Sequence, residues 1–426
     1  MIKDIIILSS FFKNDITKGI INSIDDKNEL SSESLVKEIN NRSFFSRIDL
    51  NQYISKFFSS KEIFLGDKFL LNKLCLEECI KYIDEDNIIA NIIKNYKPKI
   101  IILRDIGTYS IKKLIQIKNN LKINFKIILL NGFPIRDIRD YSLFDLVIFR
   151  NPWLIKKFGK NCKNYELIYH CFNSNILNNL KINSFNNRNN LVSFDGSSYS
   201  HGMYDHKKRY FYLYKLIEQK LISCNIYENN SNFHYFIYFI FKITQKNIYS
   251  KKIILAILEC TKSINKKIFN KYYKKIQNII DIIQNFNSDN YNFFYRGPLK
   301  KNFPKIVGEP KFGLEYYENI NNSKISINIH TESMSNYIGN IRTFEITGLA
   351  SCMLIEKFEN LSDLFEDGKD VVSYTSFEDL KDKLYFLKQN PKFVEKVAQS
   401  GFQKTLNHHT DKSRADIYIN IINKII

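Results

Sequence analysis

Between Ile325 and Glu356 the chain reads ISINIHTESMSNYIGNIRTFEITGLASCMLIE. The pattern is an apolar run, a polar loop, a short amphipathic stretch and a second apolar run, which predicts strand, loop, helix, strand. Gly339 and Asn340 sit where the helix opens, with Asn340 or Thr343 as its cap. A helix that starts at the mouth of a cleft presents unpaired N–H groups and positive dipole potential, which suits a diphosphate. Arg342 can hold phosphate oxygens through paired N–H groups. Glu345, one turn later, is poorly placed for phosphate and well placed to accept hydrogen bonds from a ribose diol. The same two residues also fit an i,i+3 surface ion pair.

A second stretch, Phe194 to Arg209 (FDGSSYSHGMYDHKKR), follows another apolar run. Gly196 and Ser197 let backbone approach a phosphate closely, and Lys207 or Arg209 can reach into it from the next helix. Tyr295-Arg-Gly-Pro298 and Val307-Gly-Glu-Pro310 mark further turns at strand ends. His408-His409 looks like a zinc fragment without a third ligand. Asp195 stands alone, and no pair of acidic residues falls at a strand end, which fits chemistry without a metal. His170 could reach across a cleft or pack in a core.

These residues need a scaffold. Asp4–Ser9, Lys99–Arg104, Phe125–Leu130, Asp145–Phe149 and Leu167–Phe172 are short, mostly Ile/Leu-rich runs, as in strands buried on both faces, and Tyr109–Leu121 is helical between two of them. After the Asn-rich segment 175–190 a second series begins: strands over Leu191–Phe194, Ile222–Tyr227, Phe293–Arg296, Ile325–His330, Met353–Glu356 and Val371–Tyr374. Helices fall over Lys207–Lys220, Arg342–Ala350, Phe377–Lys388 and Lys392–Asn407. The expectation is an α/β protein with two Rossmann-like parallel-sheet domains facing across a cleft. Residues 1–186 form the first, 187–410 the second, and 411–426 a C-terminal helix returning to the first. Residues 230–290, rich in aromatics and lysine pairs, read as a helical insertion, either packed on the domain or held on an anionic membrane surface.

The bulk numbers set the limits. In 426 residues, 63 Lys plus Arg against 44 Asp plus Glu give a formal charge of +19. At 44% hydrophobic and 14% aromatic, the composition excludes a disordered chain. A basic balance suits anionic partners such as nucleic acid, phosphorylated small molecules or acidic headgroups, but the lysines are dispersed, without a nucleic-acid signature, so a solvated surface is favoured over nucleic-acid binding. Seven scattered cysteines without CxxC spacing read as reduced thiols. No window carries the roughly 20 apolar residues of a membrane span, and the N-terminal apolar run is short for a signal peptide. The expected location is cytoplasmic, with attachment to the inner face of the membrane through 230–290.

Five blocks in order carry a family resemblance: YRGP (295–298), YYENINNSKISINIH (316–330), RTFEITGLASCMLIE (342–356), LFEDGKDVVSYTSFEDL (364–380) and AQSGFQKTLNHHTDKSR (398–414). They resemble the group 1 glycosyltransferases of the GT-B fold, and most closely the spore-maturation-protein (CgeB)-like branch. The resemblance implies transfer of a sugar from a nucleotide-sugar, a UDP- or GDP-sugar, to a hydroxyl of a glycan or lipid-linked acceptor in surface polysaccharide synthesis. It implies a retaining, metal-independent reaction with no cofactor beyond the nucleotide-sugar. Glu345 resembles the second glutamate of the family's pair, on the ribose. Arg342 with Asn340 and Thr343 would hold the diphosphate, Gly196, Ser197 and Arg209 would face the phosphates, and Arg296 and Gly297 would lie by the base. Where the first glutamate is expected the chain has Tyr337. Glu332 could replace it, or His330 could line the sugar face, with His170 opposite. Two rival expectations are a nucleotide-sugar epimerase on the same fold and a basic protein binding nucleic acid or a membrane surface.

Overall fold

The computed structural model describes residues 4–10, 21–43, 50–105, 107–132, 140–198, 207–228, 252–260, 297–331 and 335–425. Two six-stranded sheets organise them, and every strand pairing is parallel. The first contains β1 (Ile5–Ser10), β2 (Ser60–Leu65), β3 (Ile100–Leu103), β4 (Lys126–Asn131), β5 (Leu146–Phe149) and β6 (Tyr165–Leu167), in the order β2-β1-β3-β4-β5-β6. The second contains β7 (Asn190–Ser197), β8 (Ser223–Tyr227), β9 (Val307–Gly308), β10 (Ser323–Asn328), β11 (Cys352–Glu356) and β12 (Val372–Tyr374), in the order β12-β11-β10-β7-β8-β9. Runs such as IIIL in β3 and LVIF in β5 are buried at every position, because helices cover both faces.

On the first sheet, one face packs Ile6, Leu8, Ile101 and Leu103 against α3 (Lys68–Glu77), α4 (Glu85–Tyr96), α5 (Ile111–Leu121) and α6 (Pro152–Phe158). Asp84 starts α4 by accepting the Asn87 N–H at 2.8 Å, and Asn151 starts α6 by accepting that of Trp153. The other face carries Ile5, Ile7, Ile100 and Ile102. It is covered by α2 (Leu50–Ile54) and by the last helix, α13 (Asp411–Ile425), through Tyr418, Ile421 and Ile422. On the second sheet, α7 (Lys207–Glu218), α11 (Phe377–Gln389) and α12 (Pro391–His408) cover one face. The other face takes α9 (Gly313–Asn321), α10 (Arg342–Gly348) and Phe172 from the crossing segment.

Four differences from the sequence reading are informative. β2 has no counterpart in it, because Ser60, Lys61 and the carboxylate Glu62 leave the strand an apolar run of only Ile63 to Leu65. That carboxylate is buried and accepts hydrogen bonds from the Ser9 hydroxyl and from Arg104 at 2.9 Å. The strand expected over Leu167–Phe172 ends at Leu167; beyond it the chain leaves the sheet, and Phe172 bridges instead to Thr410. Val307–Gly308 is an edge strand rather than only a turn. The Asn-rich segment is stitched down: Arg188 donates to the carbonyls of Ser323 (3.0 Å), Asn183 (3.2 Å) and Leu349 (3.1 Å). The strand expected at Phe293–Arg296 lies outside the described residues, as does the 230–290 insertion apart from 252–260, which are helical.

Contacts across the two sheets' domains are specific. Asn151 donates to the Ile338 carbonyl at 3.0 Å, and a Cβ on Gly339 would fall 2.2 Å from its amide nitrogen. Gly348 serves the same purpose beneath Phe172, whose ring would lie 2.5 Å from an added Cβ. The Phe172 N–H donates to the His409 carbonyl, and the Asp411 N–H donates to that of Phe172.

Candidate functional site

In the second sheet the strand order reverses between β7 and β10, which lie side by side. The crevice beyond the carboxyl ends of such a pair is where open α/β sheets bind ligands. Gly196 and Ser197 close β7 there, and Ile329 and His330 follow β10.

Arg342, the first residue of α10, lays its guanidinium on this crevice. It lies over the Phe194 ring at 5.2 Å, and a Cβ on Gly196 would come within 2.2 Å of Nη2. Only glycine permits that approach. Asn340, two residues before α10, bonds the opening turn from its side chain: Oδ1 accepts the Thr343 N–H at 3.2 Å and hydroxyl at 2.9 Å, and the amide donates to Asn328 at 2.9 Å. The end of β10 and the start of α10 are thereby fixed to each other.

Glu345 is 6% exposed, so it is no surface partner for Arg342. Tyr316 and Tyr317, consecutive on α9, donate to its two oxygens at 2.8 and 3.0 Å. Burial pushes the carboxyl pKa up, while Tyr316, Arg342 and Tyr317 favour the charged form. The two tyrosines fall in the family-like block at 316–330, yet their register to Glu345 depends on how α9 crosses α10, which spacing does not encode. Asp195, the neighbour of Gly196, is also buried and accepts from Asn225 at 2.8 Å and Asn319 at 2.7 Å.

Arg209 is buried on α7 and donates to the carbonyls of Ile329 (2.9 Å) and Ser197 (3.2 Å), clamping the ends of β10 and β7. Beside it Lys208 donates to Glu356, which closes β11 and accepts the His330 N–H at 3.3 Å. The His330 ring is 3% exposed and stands edge-on to Phe358, 4.6 Å between centroids. Lys208, Glu356 and Phe358 were not anticipated from sequence. They come from two segments about 150 residues apart, the start of α7 and the end of β11.

Tyr337 turns toward the other domain, where Lys156 donates to its hydroxyl at 3.3 Å. Gly297 has φ of 95°, and its carbonyl accepts from Tyr210 at 2.6 Å. Glu228 links Ser198 to the N–H groups of Leu299 and Lys300, tying this turn to the β7 loop. Arg296 and Glu332 lie outside the described residues. His170, on the first domain, neighbours Gly132 and is held neutral, its pKa pushed down to about 3 by burial, Arg150 and Arg414. His409 is occupied on both nitrogens, by the Leu364 carbonyl at 2.9 Å and Arg414 at 3.0 Å, so it is a joint in the structure. Among the described residues no group of three or more His, Cys, Asp or Glu is placed to hold a metal ion, and no helix is long and apolar enough to cross a membrane.

Residues 289–420 match a family model described as "Glycosyl transferase-like". In structure the chain is similar to a glycosyltransferase from Rickettsia africae ESF-5, at 10% identity and a TM-score of 0.54 over 99% of this chain and 98% of that one. It is similar also to Anabaena HepE solved with UDP and glucose, at 9% identity and a TM-score of 0.54 over 99% of each chain. HepE solved with UDP-glucose gives 9%, 0.52 and 99% of each. No curated protein matches the chain in sequence. The architecture is therefore that of the GT-B glycosyltransferases: two parallel α/β sheets with their helices. The family-like segment falls in the second of them.

Proposed function

We propose that the chain is a glycosyltransferase of the spore-maturation-protein-like branch. It would move a sugar from a UDP- or GDP-sugar to a hydroxyl of a glycan or lipid-linked acceptor in surface polysaccharide synthesis. The observation that carries the reading is the pairing of Arg342 and Glu345 at the reversal point of the second sheet, one against Gly196 and the other buried under two tyrosines. A cation beside a glycine is suited to a diphosphate. A carboxylate with lone pairs left over from Tyr316 and Tyr317 is suited to a ribose diol.

In this reading, breaking the bond from the sugar to the diphosphate leaves negative charge on the departing oxygens. Arg342 would meet that charge from a fixed position, with Arg209 and the two strand ends it clamps beneath, so that no metal is required. The first domain would present the acceptor, with His170 facing the reaction as a neutral imidazole, and retention at the anomeric carbon is carried over from the family resemblance.

The test is a panel of nucleoside diphosphates and nucleotide-sugars. One nucleotude series should stabilise the protein thermally, and Glu345→Ala should weaken that ligand by roughly tenfold or more. Unchanged affinity in the variant removes Glu345 from the ribose. Nucleotide released only when an acceptor glycan is added supports transfer, whereas turnover without acceptor supports epimerisation.

A further inference from the structure

His330 is the one histidine of the described residues recorded with both ring nitrogens buried and without a hydrogen-bond partner. An unsatisfied buried polar atom is costly, and a native site tolerates it where something outside the chain completes it. The surroundings indicate what. Burial, and then the positive charges of Arg209 and Lys208 on α7 and Arg342 on α10, hold the imidazole pKa well below its ordinary value. The nearby acidic group is Glu356 on β11, and it is already engaged by Lys208 and by the His330 backbone N–H. Phe358 fixes the ring edge-on, so its orientation does not depend on a polar partner.

We propose that His330 is a direct hydrogen-bonding contact for the anionic diphosphate of a nucleotide ligand, donating a ring N–H that no group of the chain engages. The inference rests on the reading of this crevice as a nucleotide-sugar site, and it adds a ligand contact at the end of β10 itself. A neutral donor suits this position: it adds a bond to the diphosphate without adding a fourth positive charge to an empty site. Because neither nitrogen is committed, either tautomer can serve.

The experiment is calorimetric titration of the full chain with inorganic pyrophosphate, UDP, GDP and uridine, in the wild type, His330→Phe and His330→Gln. Removing the ring nitrogens while keeping a ring against Phe358 should weaken pyrophosphate and the bound nucleoside diphosphate by about ten- to a hundredfold. The nucleoside should be unaffected, and His330→Gln should recover most of the loss. Should His330→Phe fail to fold, nitrogen NMR of the wild-type histidines serves instead, since pyrophosphate must shift the resonance that His330→Gln removes. Equal affinity in His330→Phe, or binding without that shift, overturns the proposal while leaving the nucleotide site standing. Pyrophosphate binding lost in His330→Phe with no nucleotide affinity in the wild type keeps His330 as an anion contact and discards the nucleotide-sugar reading. Binding of neither pyrophosphate nor nucleotide removes both.

Discussion

Burial raises the Glu345 carboxyl pKa, and two hydroxyls and a guanidinium oppose that rise by favouring the charged form. That balance makes Tyr317 a positioning residue with a readable signature. Tyr317→Phe removes the 3.0 Å bond to one oxygen, and burial then pushes the carboxyl pKa further up. The carboxylate is the form that accepts from a ribose, so affinity for the nucleotide should fall roughly tenfold and the fall should deepen as pH drops. Titrations at pH 8 and pH 5.5 check this: a loss equal at both values means that Tyr317 only shapes the pocket. At the same grain, Arg342 and Glu345 could be picked out from type and spacing, because an arginine and a glutamate at the opening of a helix after a strand have limited uses. His330 could be named but not explained. Its lack of partners arises from which atoms surround it.

Helices and strands were legible wherever one period dominated. The Ile/Leu runs of β1, β3, β4 and β5 and the amphipathic stretches of α5, α11 and α12 fall within a few residues of their expected bounds. β2 escaped because a buried Glu62 imitates a surface residue until Ser9 and Arg104 are brought to it. The polar 175–190 segment, read as the boundary between the two series, shows the same effect. Its polar groups find partners in the second domain: the Asn183 N–H donates to the Asn321 side-chain oxygen and its amide to that of Asn322, and Arg188 donates to three carbonyls. Burial holds the Arg188 pKa down at about 10, still charged at neutral pH. Arg188→Met should therefore cost about 3 kcal/mol by leaving those carbonyls unpaired. Urea unfolding followed by circular dichroism measures it, and a loss below about 1 kcal/mol would mean that water replaces the guanidinium.

The two halves are held by backbone and by buried histidine. His409 bonds Leu364 and Arg414 at the point where Phe172 meets the start of α13, and its pKa is pushed down to about 4 by burial. His170 on the first domain is at about 3. Both lie below the ordinary value of 6.5, so as pH falls the unfolded chain takes up these protons before the folded one does. Stability is then full above about pH 6.5 and lost progressively below it, down to about pH 4 for His409 and about pH 3 for His170, at up to about 1.4 kcal/mol per pH unit for each group. Urea midpoints between pH 7.5 and 4.5 should fall along this slope, and His409→Gln should flatten it while lowering the plateau. A slope unchanged by His409→Gln would assign the acid loss to carboxylates elsewhere.

Local sequence was sufficient for the alternation of buried strands and covering helices, because a strand with no polar face has to lie between two layers. It was sufficient also for the arginine and glutamate at the opening of α10. The strand order, with its reversal between β7 and β10, arises from contacts between residues more than a hundred positions apart, such as Val192 with Ile325. The tyrosine pair on Glu345, the glycine under Arg342 and the bare imidazole of His330 depend on that order. Side chains become partners, or are left without one, only once distant segments are packed to contact, and no periodicity along the chain records which distant segments those will be.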